Sequence, residues 1–387
     1  MRRSDGPQPG ASIPGVPAAA RTPGPPLPAV CLLALLVALA PARAAADVAP
    51  ATPEFHGFVS PGAVKSTANN YLVESHRGSV EFTEAAVNVT EPLGSTLRTG
   101  LQFFSSQIGK EGGFTPRFDW YYLDWHRWDW FSVRAGRVKL PFGLYNELSD
   151  LDPGRLTILL PQSVYPLTER AFLLAATGAN LYGRRTLGGA GALSYSTAID
   201  VPWLVDARLV WEAPVEGLRF AGSVLGGQLV EDTTLPPRGT PIHADVHTLF
   251  WLASAEYVQG SLQLAAEYGR WNVRVDTTPA APLVPQGTTV SERYYVQGSW
   301  RFSEAFEAGL YYAGLFPDVA HRSGAGSFLH DVALSLRYDL SLHWLVKLEM
   351  HYLHGTAGLQ PALNDGQTPA MLTQDWGLVL LRTTAYF

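Results

Sequence analysis

The chain has 387 residues, of which 47% are apolar, 16% are charged and 11% are aromatic. This much apolar surface with so few charges excludes an intrinsically disordered chain. A net charge of −6 provides no basic surface for nucleic acid, so no nucleic-acid partner is expected. A single cysteine excludes a disulfide scaffold.

The first 44 residues predict a secretory signal peptide. Arg2 and Arg3 precede an apolar run of 12 residues, AVCLLALLVALA, at 29–40. Small residues at 42–46 then offer cleavage sites, and the apolar run is too short to span a membrane. The expected organisation is a signal peptide at 1–44, cleaved near 44–46, followed by one domain at 45–387.

The mature chain shows the alternation of apolar and polar residues that is typical of β-strands. In the fifth such segment, Phe131, Val133 and Ala135 alternate with Ser132 and Arg134. Sixteen strands are predicted in this way, at 54–60, 78–89, 95–106, 118–127, 130–137, 177–185, 189–199, 205–213, 218–229, 246–257, 261–273, 291–302, 305–315, 328–339, 343–354 and 375–387.

The connections between these strands alternate in length. Those that follow even-numbered strands are tight, whereas those that follow odd-numbered strands are mostly long: 61–77, 107–117, 138–176, 230–245, 274–290, 316–327 and 355–374. Outer-membrane barrels sort their connections in this way, with short periplasmic turns and long external loops. An even strand count also lets the sheet close, which removes its edges. The expected fold class is all-β, a transmembrane antiparallel up-and-down barrel of about 16 strands in the outer membrane of a Gram-negative-type envelope, in contact with its lipid.

The longest predicted connection, 138–176, is expected to be functional. It contains too many apolar and aromatic residues for a disordered loop, so it must pack against something. In a barrel of this size the available surface is the lumen wall. We therefore expect 138–176 to fold into the lumen as a constriction loop.

This region also carries a family resemblance. Residues 134–147 (RAGRVKLPFGLYNE), followed by LPQSVY at 160–165, resemble the third-loop region of the phosphate-selective porin O and P superfamily. The core of the likeness is Gly-Arg-x-Lys-x-Pro-Phe-Gly at 136–143, and the rest of the chain matches only in pattern. The resemblance implies a trimeric sixteen-stranded channel with the third loop in the pore, where Arg134, Arg137 and Lys139 could guide anions.

The strand alternation indicates which charged side chains face the lumen, because charged residues are costly on a lipid-facing surface. The bases are Arg98, Arg134, Arg208, Arg219, Arg293, Arg301, Arg337 and Lys347, and the acids are Asp124, Asp206, Glu212, Glu267 and Glu349. The surplus of bases slightly favours anions. The alternative is that these charges pair across strands and only keep the pore hydrated.

The expected constriction and anion path can be specified by residue. It comprises Arg134, Arg137, Lys139, Tyr145, Glu147, Asp150, Arg155, Arg98, Arg293 and Arg337. Fixed bases at a narrow point attract anions, whereas Glu147 and Asp150 are close enough in sequence to neutralise them by pairing. A weak anion preference is therefore expected.

Three hypotheses for function remain open. The first is a passive diffusion channel for small hydrophilic or anionic solutes, acting as a homotrimer without cofactors. The second is an outer-membrane hydrolase, although the sequence lacks Gly-x-Ser-x-Gly, His-Glu-x-x-His and phosphate-binding glycine motifs, so an enzyme is not expected. The third is a closed adhesive or structural barrel.

Two further expectations concern particular residues. The histidine pairs His243/His247 and His351/His354 are interpreted as ordinary polar residues. The short connection from Asp200 to Leu204 is expected near the trimer interface.

Overall fold

The computed structural model describes residues 52–109, 112–200, 204–235, 240–278 and 286–387, so the predicted signal peptide lies outside the described residues. The described chain forms sixteen strands in one closed barrel, and consecutive strands pair antiparallel. Their bounds are β1 Glu54–Ser66, β2 Ser79–Pro92, β3 Leu97–Ile108, β4 Arg117–Trp128, β5 Phe131–Lys139, β6 Ala175–Thr186, β7 Ala192–Asp200, β8 Leu204–Glu212, β9 Leu218–Leu235, β10 Thr240–Gln259, β11 Leu262–Thr278, β12 Gly287–Arg301, β13 Phe306–Phe316, β14 Leu329–Ser341, β15 Trp344–Gly355 and β16 Asp375–Tyr386.

The first and last strands close the barrel. Phe58 of β1 lies opposite Tyr386 of β16, and the ladder continues to Ser66 opposite Leu378. Beyond β16, the Phe387 amide donates to the carbonyl oxygen of Gly57 at 3.0 Å. The sheet therefore has no free edge, and the predicted closed all-β barrel of sixteen strands is confirmed.

Alternation along the strands separates an outer face from the interior. In β15, Lys347 and Glu349 are buried inside, whereas Trp344 and Tyr352 are exposed on the outside. Such alternation is the period-2 geometry of the extended chain. The strand predictions succeeded because this period is strong along most of the wall.

Helices make up little of the described chain. The one α-helix among the described residues, α1, is Arg170–Leu173. The 3-10 turns there are Ser75–Arg77, Asn146–Leu148, Asp152–Gly154, Leu167–Glu169, Gly188–Ala190, Ala325–Ser327, Pro361–Leu363 and Pro369–Met371. Among the described residues, none of these helices has the length and apolar character needed to cross a membrane.

Two predicted long connections are wrong. Most of 230–245 is strand, because β9 continues to Leu235 and β10 begins at Thr240. Likewise, β11 runs to Thr278 and β12 begins at Gly287, which leaves little of 274–290 outside strands. The inner face still alternates here, with Ile242 and Val246 buried. The outer face is polar, and that polarity made these strand extensions resemble loops.

These extensions make the wall uneven in height. Strands β5, β7 and β8 have 9 residues each, whereas β9, β10, β11 and β12 have 18, 20, 17 and 15. The barrel therefore has a low side at β5–β8, where only β6 reaches 12 residues, and a tall side at β9–β12.

Candidate functional site

The connection between β5 and β6, residues 140–174, crosses the interior of the barrel, and we call it the lumenal loop. Its Ser163 hydroxyl donates to the Tyr294 carbonyl of β12 at 3.0 Å. Its Ile158 amide donates to the Glu349 carboxylate of β15 at 2.7 Å. These contacts with distant strands confirm the prediction that the long third connection folds into the lumen.

An apolar cluster fixes one side of the lumenal loop to the tall wall. Leu140 and Phe142 are fully buried and pack with Phe250, Leu252 and Trp271 of β10 and β11. The Phe142 and Trp271 rings meet edge to face with centroids 6.5 Å apart. Burial of one such side chain contributes about 1.5–3 kcal/mol. This cluster explains why the segment is rich in apolar residues although it lies inside a polar lumen.

Glu267 of β11 organises the polar contacts beside this cluster. Its carboxylate accepts the Leu144 amide at 3.0 Å, the Ser254 hydroxyl at 2.5 Å and the Tyr295 hydroxyl at 2.8 Å. The Tyr165 hydroxyl donates to the same carboxylate. A buried carboxylate with this many donors is well satisfied. It fixes the backbone of the loop at the turn after Phe142.

Asp152 attaches the opposite side of the loop to β15 and β16. Its carboxylate lies 3.1 Å from Lys347 Nζ and 3.3 Å from Arg382 Nη1, and it accepts the Thr384 hydroxyl at 2.6 Å. Burial alone would raise the pKa of Asp152, but Lys347, Arg382 and Arg155 lower it well below its ordinary value. Asp152 is therefore charged at neutral pH and holds two strands to the loop.

Glu349 makes a second attachment on β15. Besides Ile158, the Leu159 amide donates to its carboxylate at 3.0 Å, and the Ser335 hydroxyl donates at 2.7 Å. His351 Nε2 lies 3.0 Å from the same carboxylate. The buried backbone of the loop thus gains its acceptors from the wall.

Several predicted site residues come together as ion pairs. Arg134 Nη2 lies 3.0 Å from Asp124, and Lys139 Nζ lies 2.6 Å from Asp150. Glu147 pairs with Arg208 at 2.5 Å. Burial would raise the pKa of Asp150, but Lys139 and Arg170 lower it. The bases at the constriction are thus largely neutralised by neighbouring acids.

Arg137 does not join Arg134 in the lumen. In the ladder it lies opposite Tyr121 and Thr177, on the face where Tyr121 is exposed, and its Nε donates to the Asp119 carbonyl at 2.9 Å. Residues three apart on a regular strand point to opposite faces. Its predicted place in the anion path is therefore wrong for this geometric reason.

The remaining predicted residues are dispersed around the interior. Arg98 is exposed and lies 3.4 Å from the Tyr122 hydroxyl. Arg293 stacks 3.5 Å above the Trp271 ring. Tyr145 donates to Glu256 at 2.8 Å, Arg155 lies 3.9 Å from Asp152, and Arg337 donates to the Pro153 carbonyl at 2.7 Å. Four of the five lie on or beside the lumenal loop, and Arg98 lies apart from them.

Open space remains on two sides of the lumenal loop. A cavity of about 910 Å³ lies along β4–β8, with Arg134, Tyr182, Arg184 and Arg208 in its wall. A second cavity of about 520 Å³ lies along β9–β14, and its wall includes Arg219, Gln297, Arg301 and Arg337. The loop therefore divides the interior into two polar spaces.

Sequence reasoning missed Arg382, which the structure places at the centre of the loop attachment. Its Nη1 lies 2.7 Å from Glu84 and 3.3 Å from Asp152. The sequence does contain a signal for Arg382. This residue follows the apolar run LVLL at 378–381 in the last strand, and its side chain lies on the other face of that strand from Leu381. A base in an apolar strand has to face inward.

Gly143 occupies a position that other residues cannot fill. Its φ is +64°, and an added Cβ would overlap the Tyr165 hydroxyl. We expect Gly143→Ala to displace Tyr165 from Glu267 and to destabilise the loop by about 1–3 kcal/mol. The loss of loop stability is measured as faster hydrogen exchange of the amides at 140–148. Gly222→Ala is the control, because nothing lies within 4 Å of an added Cβ there, and equal exchange in the two variants would contradict the prediction.

Comparison with known proteins shows the fold of the chain. No protein-family model and no curated protein matches the sequence. Among solved structures, OmpT of Vibrio cholerae superposes with a TM-score of 0.61 at 11% identity, covering 88% of this chain and 99% of that one. Its trimer form gives 0.56 at 12%, covering 88% and 100%. An anion-selective porin from Comamonas acidovorans gives 0.55 at 15%, covering 87% and 100%. The fold of this chain is therefore that of the sixteen-stranded porins.

Proposed function

We propose that this protein is an outer-membrane porin, a passive water-filled channel for small hydrophilic solutes. The observation that carries this is the lumenal loop, which is fixed across a closed barrel and leaves a polar space on each side. The outer face of the barrel presents apolar side chains such as Leu310 and Val296, which are 56% and 54% exposed. An apolar exterior around a polar interior suits a barrel that spans a lipid bilayer.

Ion flow through the purified mature chain tests this function. Reconstitution into planar bilayers is expected to produce stepwise conductance, and liposomes loaded with the chain are expected to admit small sugars but to exclude large dextrans. A barrel that inserts fully but passes neither ions nor sugars would contradict the proposal. That result would favour the adhesive or structural barrel instead.

The proposed channel has only a weak preference for anions. Arg134 and Lys139 each face a carboxylate, so they add little net charge. In the part of the chain that the structure describes, Arg98 and Arg293 make no ion pair within 4 Å. A few unpaired bases attract anions over about 8 Å at physiological salt. This supports a mild anion preference rather than strong selection.

Removing the bases at the constriction is expected to reverse this preference. The combined change of Arg134→Ala and Lys139→Ala leaves Asp124 and Asp150 without their partners, so the lumen gains unpaired negative charge. The reversal potential of single channels in a salt gradient should move toward cation selectivity.

The matched control for this double variant removes the two acids as well. Adding Asp124→Asn and Asp150→Asn is expected to restore the wild-type reversal potential, because charges are then removed in pairs. If the double variant keeps the wild-type reversal potential, these bases do not set selectivity.

We further propose that the chain belongs to the phosphate-selective porin O and P superfamily. The motif at 136–143 supports this, because one of its glycines has a structural role within β5 and the other at the first turn of the lumenal loop. Gly136 has a φ of +135°, and an added Cβ would overlap the Tyr121 carbonyl oxygen. Gly143 makes the turn beside Glu267. The motif therefore specifies the backbone conformation with which the chain ends β5 and turns into the lumen.

We also propose that the protein is a homotrimer whose subunits meet on the low side of the wall. A strand of nine residues, tilted as in such barrels, spans only about 23 Å, less than an apolar band of about 25 Å. The outer face there exposes Val205, Leu209 and Trp211. A neighbouring barrel would cover this low apolar wall. Residues 201–203 of the connection predicted near the interface lie outside the described residues.

Size analysis in mild detergent tests the oligomeric state. Multi-angle light scattering is expected to give a protein mass of three mature chains. Leu209→Arg on the low wall should reduce the mass to one chain, whereas Leu310→Arg on β13 should leave it at three. A wild-type mass of a single chain would contradict the trimer.

A further inference from the structure

A small cavity lies under the lumenal loop, next to the inner face of β2 and β16. Its volume is about 30 Å³, and its wall includes Glu84 of β2, Arg382 of β16, and Arg155 and Arg170 of the loop region. This is room for about two water molecules, since one requires roughly 10–15 Å³. A single monatomic ion fits this space.

The charged side chains around this cavity are mostly positive. Three arginines line it against one carboxylate, Glu84. That carboxylate is already 2.7 Å from Arg382 Nη1. Arg170 pairs with Asp119, and Asp152 lies 3.9 Å from Arg155 and 3.3 Å from Arg382, but neither acid is part of the cavity wall. The wall itself therefore carries more bases than acids, which favours a small anion over a cation.

The three arginines also carry hydrogen-bond donors that nothing satisfies. Arg155 Nε, Arg170 Nε, and both Nε and Nη2 of Arg382 are buried without a partner among the described residues. The Arg382 side chain is only 1% exposed and that of Arg170 only 10%. Buried donors are nearly always bonded in folded proteins. These four donors belong to three side chains that line the same cavity, where one small anion could accept several of them.

The other polar side chains of the wall accept none of these N–H groups. Their own N–H and O–H groups donate to carbonyls of the loop. Asn146 Nδ2 donates to the Leu140 carbonyl at 2.9 Å. Ser149 Oγ donates to the Asn146 carbonyl at 2.7 Å, and Gln162 Nε2 donates to the Leu160 carbonyl at 2.7 Å. The unsatisfied donors in the cavity wall thus belong to the arginines.

We propose that this cavity binds one chloride ion, which joins Arg155 and Arg170 of the loop region to Arg382 of the wall. The ion accepts the free guanidinium N–H groups of the three arginines. Arg155 also borders the 520 Å³ cavity, which gives the ion a route for exchange. The role is structural and separate from solute passage, so it does not depend on the proposed channel function.

Bromide is the direct probe of this site. Crystals of the mature chain grown in sodium bromide should show an anomalous scattering peak in the cavity, within hydrogen-bonding distance of all three arginines. Bromide peaks confined to the protein surface would overturn the proposal. So would density in the cavity that is the same in bromide and in chloride, because that density would be water.

Thermal unfolding in detergent supplies a second readout. At equal ionic strength, the wild-type chain should unfold several degrees higher in sodium chloride than in sodium gluconate, whose anion is too large for the cavity. Arg155→Gln should abolish this difference. Arg184→Gln on the opposite wall, where Arg184 pairs with Glu212, should keep it. An equal chloride effect in both variants, or none in the wild type, would contradict the site.

Discussion

Replacing Asp152 with asparagine is expected to release the lumenal loop from β15 and β16 and to raise the single-channel conductance. The neutral amide leaves Lys347 buried without its carboxylate and leaves Arg382 with Glu84 alone. Removal of one partner from a buried ion pair costs about 3–5 kcal/mol. An ordinary hydrogen bond contributes only about 1 kcal/mol, so the contacts left to the new amide side chain cannot compensate. Planar-bilayer recordings and protease sensitivity within 140–174 measure the release.

The control for this variant is Asp129→Asn in the turn between β4 and β5, where the Asp129 side chain is 99% exposed. It removes the same charge without breaking a buried pair, so conductance should stay at the wild-type value. Equal conductance of Asp152→Asn and the wild type would show that Asp152 does not hold the loop.

The same attachment has a defined dependence on pH. Because the pKa of Asp152 is lowered in the folded chain, its stabilising contribution is fully present above the ordinary carboxyl pKa of ~3.9. The contribution is lost only as pH falls further, through the lowered folded-state pKa. Protease resistance of the loop should therefore be constant between neutral pH and about pH 4, and should decrease in stronger acid. Loss of resistance near pH 6 would contradict this assignment.

Replacing Phe142 with alanine is expected to loosen the opposite side of the loop. Phe142 is fully buried beside Trp271, and truncation of such a residue costs about 3–5 kcal/mol. The amides at 140–148 should then exchange at least roughly a hundredfold faster, since about 1.4 kcal/mol corresponds to a factor of ten. Hydrogen exchange with mass spectrometry measures this directly.

Phe302→Ala is the matched control, because Phe302 lies in the turn after β12 and is 63% exposed. Its exchange pattern at 140–148 should equal that of the wild type. The effect of Phe142→Ala should also be the same at low and high salt, because an apolar contact is not screened by ions. An effect that disappears in high salt would show that the cluster is not what fixes this side.

The strands were predictable because each strand carries its own signal. Val332 and Leu334 alternate with Ala333 and Ser335 in β14, and this pattern depends on no distant residue. The entry of 138–176 into the lumen was also predictable, because its apolar residues required a surface to cover. In both cases the local sequence contains the physical cause.

Pairing across the lumen was not predictable from the sequence. Asp152 meets Lys347 and Arg382, which are about two hundred positions away along the chain, and no local pattern specifies that contact. The side chain of Arg137 was misplaced because the strand continues two residues beyond its predicted end, so alternation still decides its face. The strand extensions of β9–β12 were missed because a polar outer face removes the apolar half of the period.

The attachments at Glu267 and Asp152 also have a mechanical consequence. A sixteen-stranded sheet closed on itself is a thin shell, which lateral pressure from a bilayer can flatten into an oval. The lumenal loop is bonded to β11 on one side and to β15 and β16 on the other, so it acts as an internal brace across the shell. The lumenal loop, which narrows the channel, therefore also supports a circular cross-section of the barrel. Releasing its attachments would make the barrel wall easier to deform as well as widen the channel.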